Sequence, residues 1–365
     1  MTQNKKTAVV LFNLGGPDSP DAVQPFLFNL FNDKAIISLP QPFRYLLAKF
    51  ISARRVKKAQ KIYEKIGGRS PLLEITLSQA DKLERELSFV GDFKVFVAMR
   101  YWKPFAKEVV EKVVSYNPQQ VILLPLYPQF SSTTSDSSIK DFVQKLLAKY
   151  SQQTPMIKIV CCYPDEPEFV KSHALLIKQA ISKFDKKDFA KLRFLFSAHG
   201  LPQKVIDAGD PYVFQVNQTA QKVVHNLSEI MGIEEKEIDF SVCYQSKVGP
   251  LQWTSPSLEY EIRKISIDKK IPVIVPISFV SDHSETLVEL DIDFKEMATQ
   301  LKVPDFIRVA ALNIDGTFIK GLSKICTGVA FGLQDQNHAV YCGGSAARIC
   351  PKKMKLCFNP NPCEQ

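Results

Sequence analysis

An α/β fold of two Rossmann-like, doubly wound domains with parallel sheets is predicted by three observations. Strand-length apolar runs alternate with helix-period segments almost throughout. The runs are continuously apolar, as strands covered on both faces must be. One strand pattern, Ile122-Leu123-Leu124-Pro125-Leu126, also recurs half a chain later as Val273-Ile274-Val275-Pro276-Ile277.

The strands are expected at Ala8–Phe12, Val95–Met99, Val121–Leu126, Ile157–Cys162, Arg193–Phe196, Ile238–Cys243, Ile271–Val280 and Ile307–Ala311. Between them the apolar spacing predicts helices at Phe105–Val114, Ile139–Tyr150, Glu166–Phe184, Gln215–Ile230, Leu258–Lys264 and Leu287–Leu301. At 365 residues the chain is long for one core. We expect a first half over 1–150, a second over 151–335 and a Cys-rich tail over 336–365. On a parallel count, the strand ending at Arg100 corresponds to the one ending at His199.

In open α/β sheets, ligands bind beyond the carboxyl ends of the strands. Those ends carry Asn13, Arg100, Tyr127, His199, Gln245 and the Asp282–Glu285 cluster, which suggests one cleft between two facing halves. Ser137, Ser138 and Asp282 suit helix caps instead. No Gly-x-Gly-x-x-Gly or Walker-type loop supports a nucleotide cofactor.

Composition is that of a folded protein, with 45% hydrophobic and 23% charged residues. No run approaches the roughly 20 apolar residues of a membrane span, so a cytoplasmic location is expected. Eight cysteines without an export signal argue against a disulfide framework. Much of the +9 net charge lies in Arg44, Lys49, Arg54, Arg55, Lys57, Lys58 and Lys61, interleaved with Phe43, Tyr45, Leu46, Leu47, Phe50 and Ile51. This is either a solvated helix face or a basic-apolar surface for anionic lipid or an anionic substrate. No nucleic-acid-binding motif accompanies it.

Two stretches hold the chemistry: Ser197-Ala198-His199-Gly200-Leu201-Pro202, and Ser281-Asp282-His283-Ser284-Glu285-Thr286-Leu287-Val288-Glu289-Leu290-Asp291. A neutral histidine accepts a proton or gives a metal a lone pair near pH 7. A helix starting at Glu285 would put Glu289 one turn on, on the same face, where two carboxylates can pass protons or guide a divalent cation. His173, His225 and His338 are read as structural.

These stretches resemble ferrochelatases. So do Leu11-Phe12-Asn13-Leu14-Gly15-Gly16-Pro17, Gly67-Gly68-Arg69-Ser70-Pro71-Leu72, Met99-Arg100-Tyr101, Tyr127-Pro128-Gln129-Phe130-Ser131, Gly209-Asp210-Pro211-Tyr212 and Tyr244-Gln245-Ser246-Lys247-Val248-Gly249-Pro250 with Trp253. The resemblance implies insertion of Fe²⁺ into protoporphyrin IX, the last step of haem synthesis, with no cofactor required. It makes His199 and Glu285 the metal-side or proton-removing pair and places His283, Glu289 and Asp291 in the proton or metal path. It has Asn13, Leu14, Arg100 and Tyr127 line the porphyrin. Aliphatic Leu14 favours protoporphyrin IX over coproporphyrin III. An apolar loop, Pro25-Phe26-Leu27-Phe28, and the segment Leu39–Ile51 would form a pocket lip that can meet the cytoplasmic face of a membrane. The alternatives are a chelatase for another tetrapyrrole or metal, and a porphyrin carrier.

Some ferrochelatases hold a [2Fe–2S] cluster. Here Cys342, Cys350, Cys357 and Cys363 offer four thiolates, but with seven, six and five residues between them. That spacing is wide for a cluster or zinc, and reduced thiols in a loose tail are the expectation. Cys161, Cys162, Cys243 and Cys326 are expected in the core.

Overall fold

A computed structural model describes residues 5–150, 154–332, 339–343 and 347–360. The chain divides into two units. The first takes Met1–Tyr163, Leu322–Ile349 and Cys357–Gln365, and the second Pro164–Gly321 and Cys350–Leu356.

The first unit is built on a parallel sheet of β1 (Thr7–Asn13), β2 (Phe93–Met99), β3 (Gln120–Pro125), β4 (Met156–Cys162) and β9 (Ala339–Cys342), in the order β2-β1-β3-β4-β9. Strand β1 is buried at every position because both faces are covered. On one face Val10, Phe12, Val121 and Leu123 pack with Val109, Val110 and Val113 of α4 (Ala106–Tyr116) and Ile139, Phe142 and Leu146 of α5 (Ser135–Leu147). The buried ammonium of Lys158 on β4 donates to the carbonyls of Val329 (2.7 Å) and Ala330 (3.2 Å), at the end of α11 (Gly316–Phe331). A cation there satisfies carbonyls that have no partner within the helix.

Three helices precede β2: α1 (Val23–Phe31), α2 (Phe43–Glu64) and α3 (Leu72–Ser88). The Pro25–Phe28 stretch, expected as a loop, lies inside α1. Val23, Phe26 and Leu27 recur at helical spacing and bury against Tyr63 and Tyr101. The dense apolar run hides that periodicity in the sequence.

The second unit carries β5 (Leu192–His199), β6 (Phe240–Gln245), β7 (Ile271–Pro276) and β8 (Ile307–Arg308), parallel and ordered β6-β5-β7-β8. Its helices are α6 (Pro167–Ala180), the short α7 (Gln203–Asp207), α8 (Tyr212–Met231), α9 (Leu258–Asp268) and α10 (Lys295–Gln300). Local chemistry sets several ends. Glu166 accepts from the Phe169 N–H (2.6 Å) with Pro167 at the first turn, and Ser257 caps α9 through the Tyr260 N–H (3.1 Å). Gly232 ends α8 in the left-handed conformation. Leu195 and Ile274 pack with Leu258, Ile262 and Ile265 of α9.

The strand orders correct the expected correspondence. β1, β2, β3 and β4 match β5, β6, β7 and β8, so the strand ending at His199 answers β1 and Asn13, not the strand before Arg100. The repeat noticed in the sequence pairs β3 with β7. Each is second from the outer end of its four-strand run, and each ends in proline, Pro125 and Pro276.

The expected helix Leu287–Leu301 is two elements. A π-helix runs over Glu285–Phe294 and continues into α10. Such i→i+5 turns are rare and gather at functional sites.

Candidate active site

His199 is the last residue of β5, and its backbone N–H donates to Ser278 Oγ (3.3 Å), just beyond β7. The turn after it is tight. A Cβ on Gly200 would lie 3.0 Å from the Gln245 carbonyl and 3.2 Å from the Trp253 ring. His199 Nδ1 lies 2.8 Å from Glu285 Oε2. Glu285 Oε2 also lies 3.1 Å from Ser246 Oγ, whose one proton it shares with Glu289. Glu289 Oε1 takes the Ser246 N–H (2.9 Å), and its Oε2 takes Ser246 Oγ (2.5 Å) and Gln245 Nε2 (3.1 Å). The Gln245 amide is fixed in turn by Ser197 Oγ (2.6 Å) and the Glu285 carbonyl (2.9 Å). Among the described residues, His199 Nε2 and Glu285 Oε1 are left without a protein partner.

Three strand ends therefore converge on the first turn of the π-helix. Burial drives His199 toward neutrality, but the Glu285 carboxylate, helped by Glu289, outweighs it and raises the imidazole above its ordinary value of 6.5. Burial would raise Glu285. The His199 charge and hydrogen bond, with His283 and Ser246, instead bring it to about 2. Glu289 is raised, by burial first and then by the Glu285 charge. Two adjacent carboxyls are thus pushed apart, one firmly ionised and one inclined to hold a proton.

His283 is buried against Phe279, with ring centroids 5.0 Å apart. Its Nδ1 donates to the Ser281 carbonyl (3.1 Å), and burial lowers it, so it is a neutral imidazole with Nε2 as acceptor. Asp282 accepts from the Thr286 hydroxyl (2.9 Å), Asn313 Nδ2 (2.7 Å) and Arg308 (3.2 Å), so it anchors side chains rather than a backbone N–H as a cap would. Arg308 also grips both oxygens of Asp291, at 2.7 and 2.6 Å. That fork pairs Asp291 with Arg308 rather than with Glu285 or Glu289.

In the first unit Asn13 is the last residue of β1, Arg100 directly follows β2 and Tyr127 lies just beyond β3. Asn13 is buried. Its Nδ2 donates to Thr76 (3.1 Å) and its Oδ1 accepts from the Leu14 N–H (2.8 Å). Leu14 packs in the cluster of Phe26, Leu27 and Tyr101. Arg100 reaches Asp33 Oδ2 (2.7 Å), Ser137 Oγ (2.8 Å) and Asp141 (3.5 Å). Ser137, expected as a cap, donates to Asp33 (2.6 Å), and Tyr101 donates there too (3.0 Å). These donors overcome burial and hold Asp33 below the usual carboxylate range. Burial pushes the Tyr127 phenol up, and its hydroxyl has no partner among the described residues.

The cysteines regroup. Cys161, Cys162 and Cys342 bring their sulfurs within 4.8 Å of one another, all buried. Hydrogen bonding to Cys162, then Cys342 and Cys357, raises the Cys161 thiol, so Cys357 belongs to the same group. Adjacent strand residues normally face opposite ways. Here a register shift between Val160 and Cys162 in the β4–β9 ladder marks a bulge that brings both onto one side. Cys350 is elsewhere, buried and accepting from Gln215 Nε2 (3.0 Å). The quartet Cys342, Cys350, Cys357 and Cys363, which the sequence offered but did not favour, includes a residue outside those described. Cys363 and His338 lie outside the described residues. Cys243 and Cys326 are in the core as expected. His173 is buried with no partner on either ring nitrogen, and exposed His225 pairs with Glu235 (2.6 Å).

Sequence reasoning missed Ser246, Ser278 and Asp33 as site residues. Ser246 was visible only as a member of the Gln245–Pro250 motif. Asp33 had no signal, because its partners lie 67 and 104 residues away.

Two parallel α/β sheets carry an imidazole–carboxylate pair at a strand end. The fold is similar to that of SirB from Bacillus subtilis, solved with Fe³⁺, at a TM-score of 0.53 and 13% identity over 91% of this chain and 99% of that one. The ferrochelatase family model matches residues 6–329. The chain is 49% identical to a ferrochelatase of Rickettsia bellii (strain OSU 85-389) over 98% of this chain and 97% of that protein. It is 49% identical to one of Wolbachia sp. subsp. Drosophila simulans (strain wRi) over 88% and 98%. The chain belongs to the ferrochelatase family, lyases of haem synthesis that insert iron into a porphyrin.

The pair sets a pH window. The raised His199 contributes stability below pH 6.5 that is lost as pH rises through its folded value. The lowered Glu285 contributes stability above pH 4.5 that is lost as pH falls toward about 2. Thermal melts of wild type and His199→Gln should therefore differ most between pH 4.5 and 6.5 and converge on alkalinisation. A difference that grows with rising pH would contradict the pairing.

Proposed function

We propose that this chain inserts Fe²⁺ into protoporphyrin IX, with His199 and Glu285 as the metal-side groups. The observation that carries this is the 2.8 Å pair that leaves only Nε2 and Oε1 open. Insertion releases two pyrrole protons for each Fe²⁺ bound. His199, once its own proton has passed to solvent, accepts one at Nε2 with the Glu285 carboxylate supporting the imidazolium, and the second passes through Glu289 or His283 beside the pair to solvent. Glu285 Oε1, ionised across the physiological range, offers Fe²⁺ an oxygen ligand. Glu289, the carboxyl raised by burial, and neutral His283 supply proton-holding groups beside the pair. Asn13, Leu14, Arg100 and Tyr127 form the porphyrin face on neighbouring strand ends of the first sheet.

Anaerobic assays with Fe²⁺ should show haem formation from protoporphyrin IX and less from coproporphyrin III. His199→Ala and Glu285→Gln should lower kcat by at least about 10²-fold, the scale of a lost acid–base group. Unchanged turnover in His199→Ala would defeat the assignment, and porphyrin binding without turnover in wild type would indicate a carrier.

Peripheral membrane association rests on α2. Phe43, Leu46 and Phe50 share one face and are 61–64% exposed, flanked by Arg44, Lys49, Lys57 and Lys58. No helix among the described residues is long and apolar enough to cross a membrane. An apolar stripe beside basic side chains suits an anionic lipid surface. Sedimentation with phosphatidylglycerol vesicles should carry wild type down at low salt and leave the triple variant Phe43→Ser, Leu46→Ser, Phe50→Ser in solution. Equal sedimentation of the two would remove α2 as the contact.

The buried thiols of Cys161, Cys162 and Cys342, with half-buried Cys357 beside them, have the donor set of a [2Fe–2S] cluster. Cys342 is drawn down by donation from Cys161 and then Cys162, and Asn359 Nδ2 points at its sulfur (3.5 Å). Such a cluster would supply a redox-sensitive tie between β4, β9 and the residues around Cys357. Anaerobically purified protein should show thiolate-to-iron absorption that Cys161→Ser and Cys342→Ser abolish and Cys350→Ser retains. A colourless protein, or one holding only zinc, would overturn the cluster.

A further inference from the structure

We propose that Ser246 is a positioning residue for the metal side, fixing the carboxylates of Glu285 and Glu289 together. The proposal rests on the reading of Glu285 as a metal-side group. Ser246 directly follows β6 and has φ +65°, a left-handed conformation in which a residue other than glycine is uncommon. That conformation turns its N–H and its side chain toward the same element, the first turn of the π-helix. The N–H holds one oxygen of Glu289 (2.9 Å) and Oγ holds the other (2.5 Å), so the carboxylate is gripped at both ends. The single Oγ proton lies between the two acids, closer to Glu289 Oε2 (2.5 Å) and shared with Glu285 Oε2 (3.1 Å), while His199 Nδ1 reaches that same Glu285 oxygen at 2.8 Å. With His199 and the shared hydroxyl both on Oε2, rotation of the Glu285 carboxylate is restrained and Oε1 is the oxygen that stays open.

A helix presents Glu285 and Glu289 on one face but does not orient their terminal oxygens. Long carboxylate side chains turn readily about their last bond. Gln245 cannot replace Ser246. Its amide bonds the Glu285 carbonyl and Glu289 Oε2, and it does not touch the Glu285 carboxylate. A single hydroxyl therefore links the two acids, and no other described side chain contacts both carboxylates.

The test uses Co²⁺ as a spectroscopic probe on the full chain without porphyrin, followed by steady-state assays. The variants are Ser246→Gly, which keeps the N–H and suits the positive φ, and Ser246→Ala, which removes the same hydroxyl at the original backbone. Both should weaken Co²⁺ binding about tenfold, the scale of one hydrogen bond to a charged group. Both should raise the metal KM similarly, with the porphyrin KM within about twofold of wild type. A merely structural role would shift both KM values together with the melting temperature. Wild-type Co²⁺ affinity in Ser246→Gly, while His199→Ala and Glu285→Gln lose the ion, would overturn the role of Ser246 alone. Undiminished Co²⁺ binding in His199→Ala and Glu285→Gln would defeat the metal-side reading and the proposal with it.

Discussion

The hydrogen bond between His199 Nδ1 and Glu285 Oε2 is the interaction on which the second unit's site depends. A carboxylate as enclosed as Glu285 is costly unless it is paired and its remaining lone pairs are satisfied. The neighbouring elements meet that demand. β5 delivers the imidazole, β6 delivers Gln245 and Ser246, and the loop after β7 fixes the His199 backbone through Ser278. In an antiparallel arrangement these strand ends would alternate between two edges. The parallel sheet brings all three to one edge. The sheet type is thus a precondition of the chemistry, since only it puts the ends of consecutive strands side by side.

The π-helix solves a second problem. Glu285 and Glu289 must both reach Ser246, while Asp282 and Asp291 must both reach Arg308. Two groups of acids, one for chemistry and one for structure, are threaded through ten residues. Arg308 separates them. By binding Asp282 and both oxygens of Asp291 it ties those two acids into the scaffold. The low value of Glu285 comes from His199 first, with His283 and Ser246 adding to it against the cost of burial.

Much of this was legible in the sequence, and the reasons differ by element. Strands β1–β7 could be read because their apolar runs, bounded by turns, cannot be confused with an amphipathic helix, whereas β8, expected over Ile307–Ala311, pairs only at Ile307–Arg308. His199 and Glu285 could be read because they follow such runs. The short strand β9 carries four residues amid glycine and polar neighbours, and nothing local announces it. Helix α1 failed for the opposite reason, being apolar enough to conceal its period. Ser246 and Asp33 act through distant partners, and a one-dimensional pattern carries no trace of a contact made 39 or 67 residues away.

The tandem cysteines show the same limit most sharply. Strand periodicity assigns Cys161 and Cys162 to opposite faces, so from sequence they are two core residues. The bulge between Val160 and Cys162 cancels that alternation at one point in the ladder. It does so where β9 brings in Cys342, and the lone strand that the sequence did not reveal is the one that completes the thiol group. Asp33 follows a similar logic in the first unit. It lies two residues beyond α1, and its carboxylate collects Arg100, Ser137 and Tyr101 from other segments. In both places a polar group buried by long-range pairing is held by several donors at once. Arg100 shows the consequence for function: its charge is already matched by Asp33 and approached by Asp141. It therefore meets a ligand as one member of a neutralised cluster, not as an isolated cation.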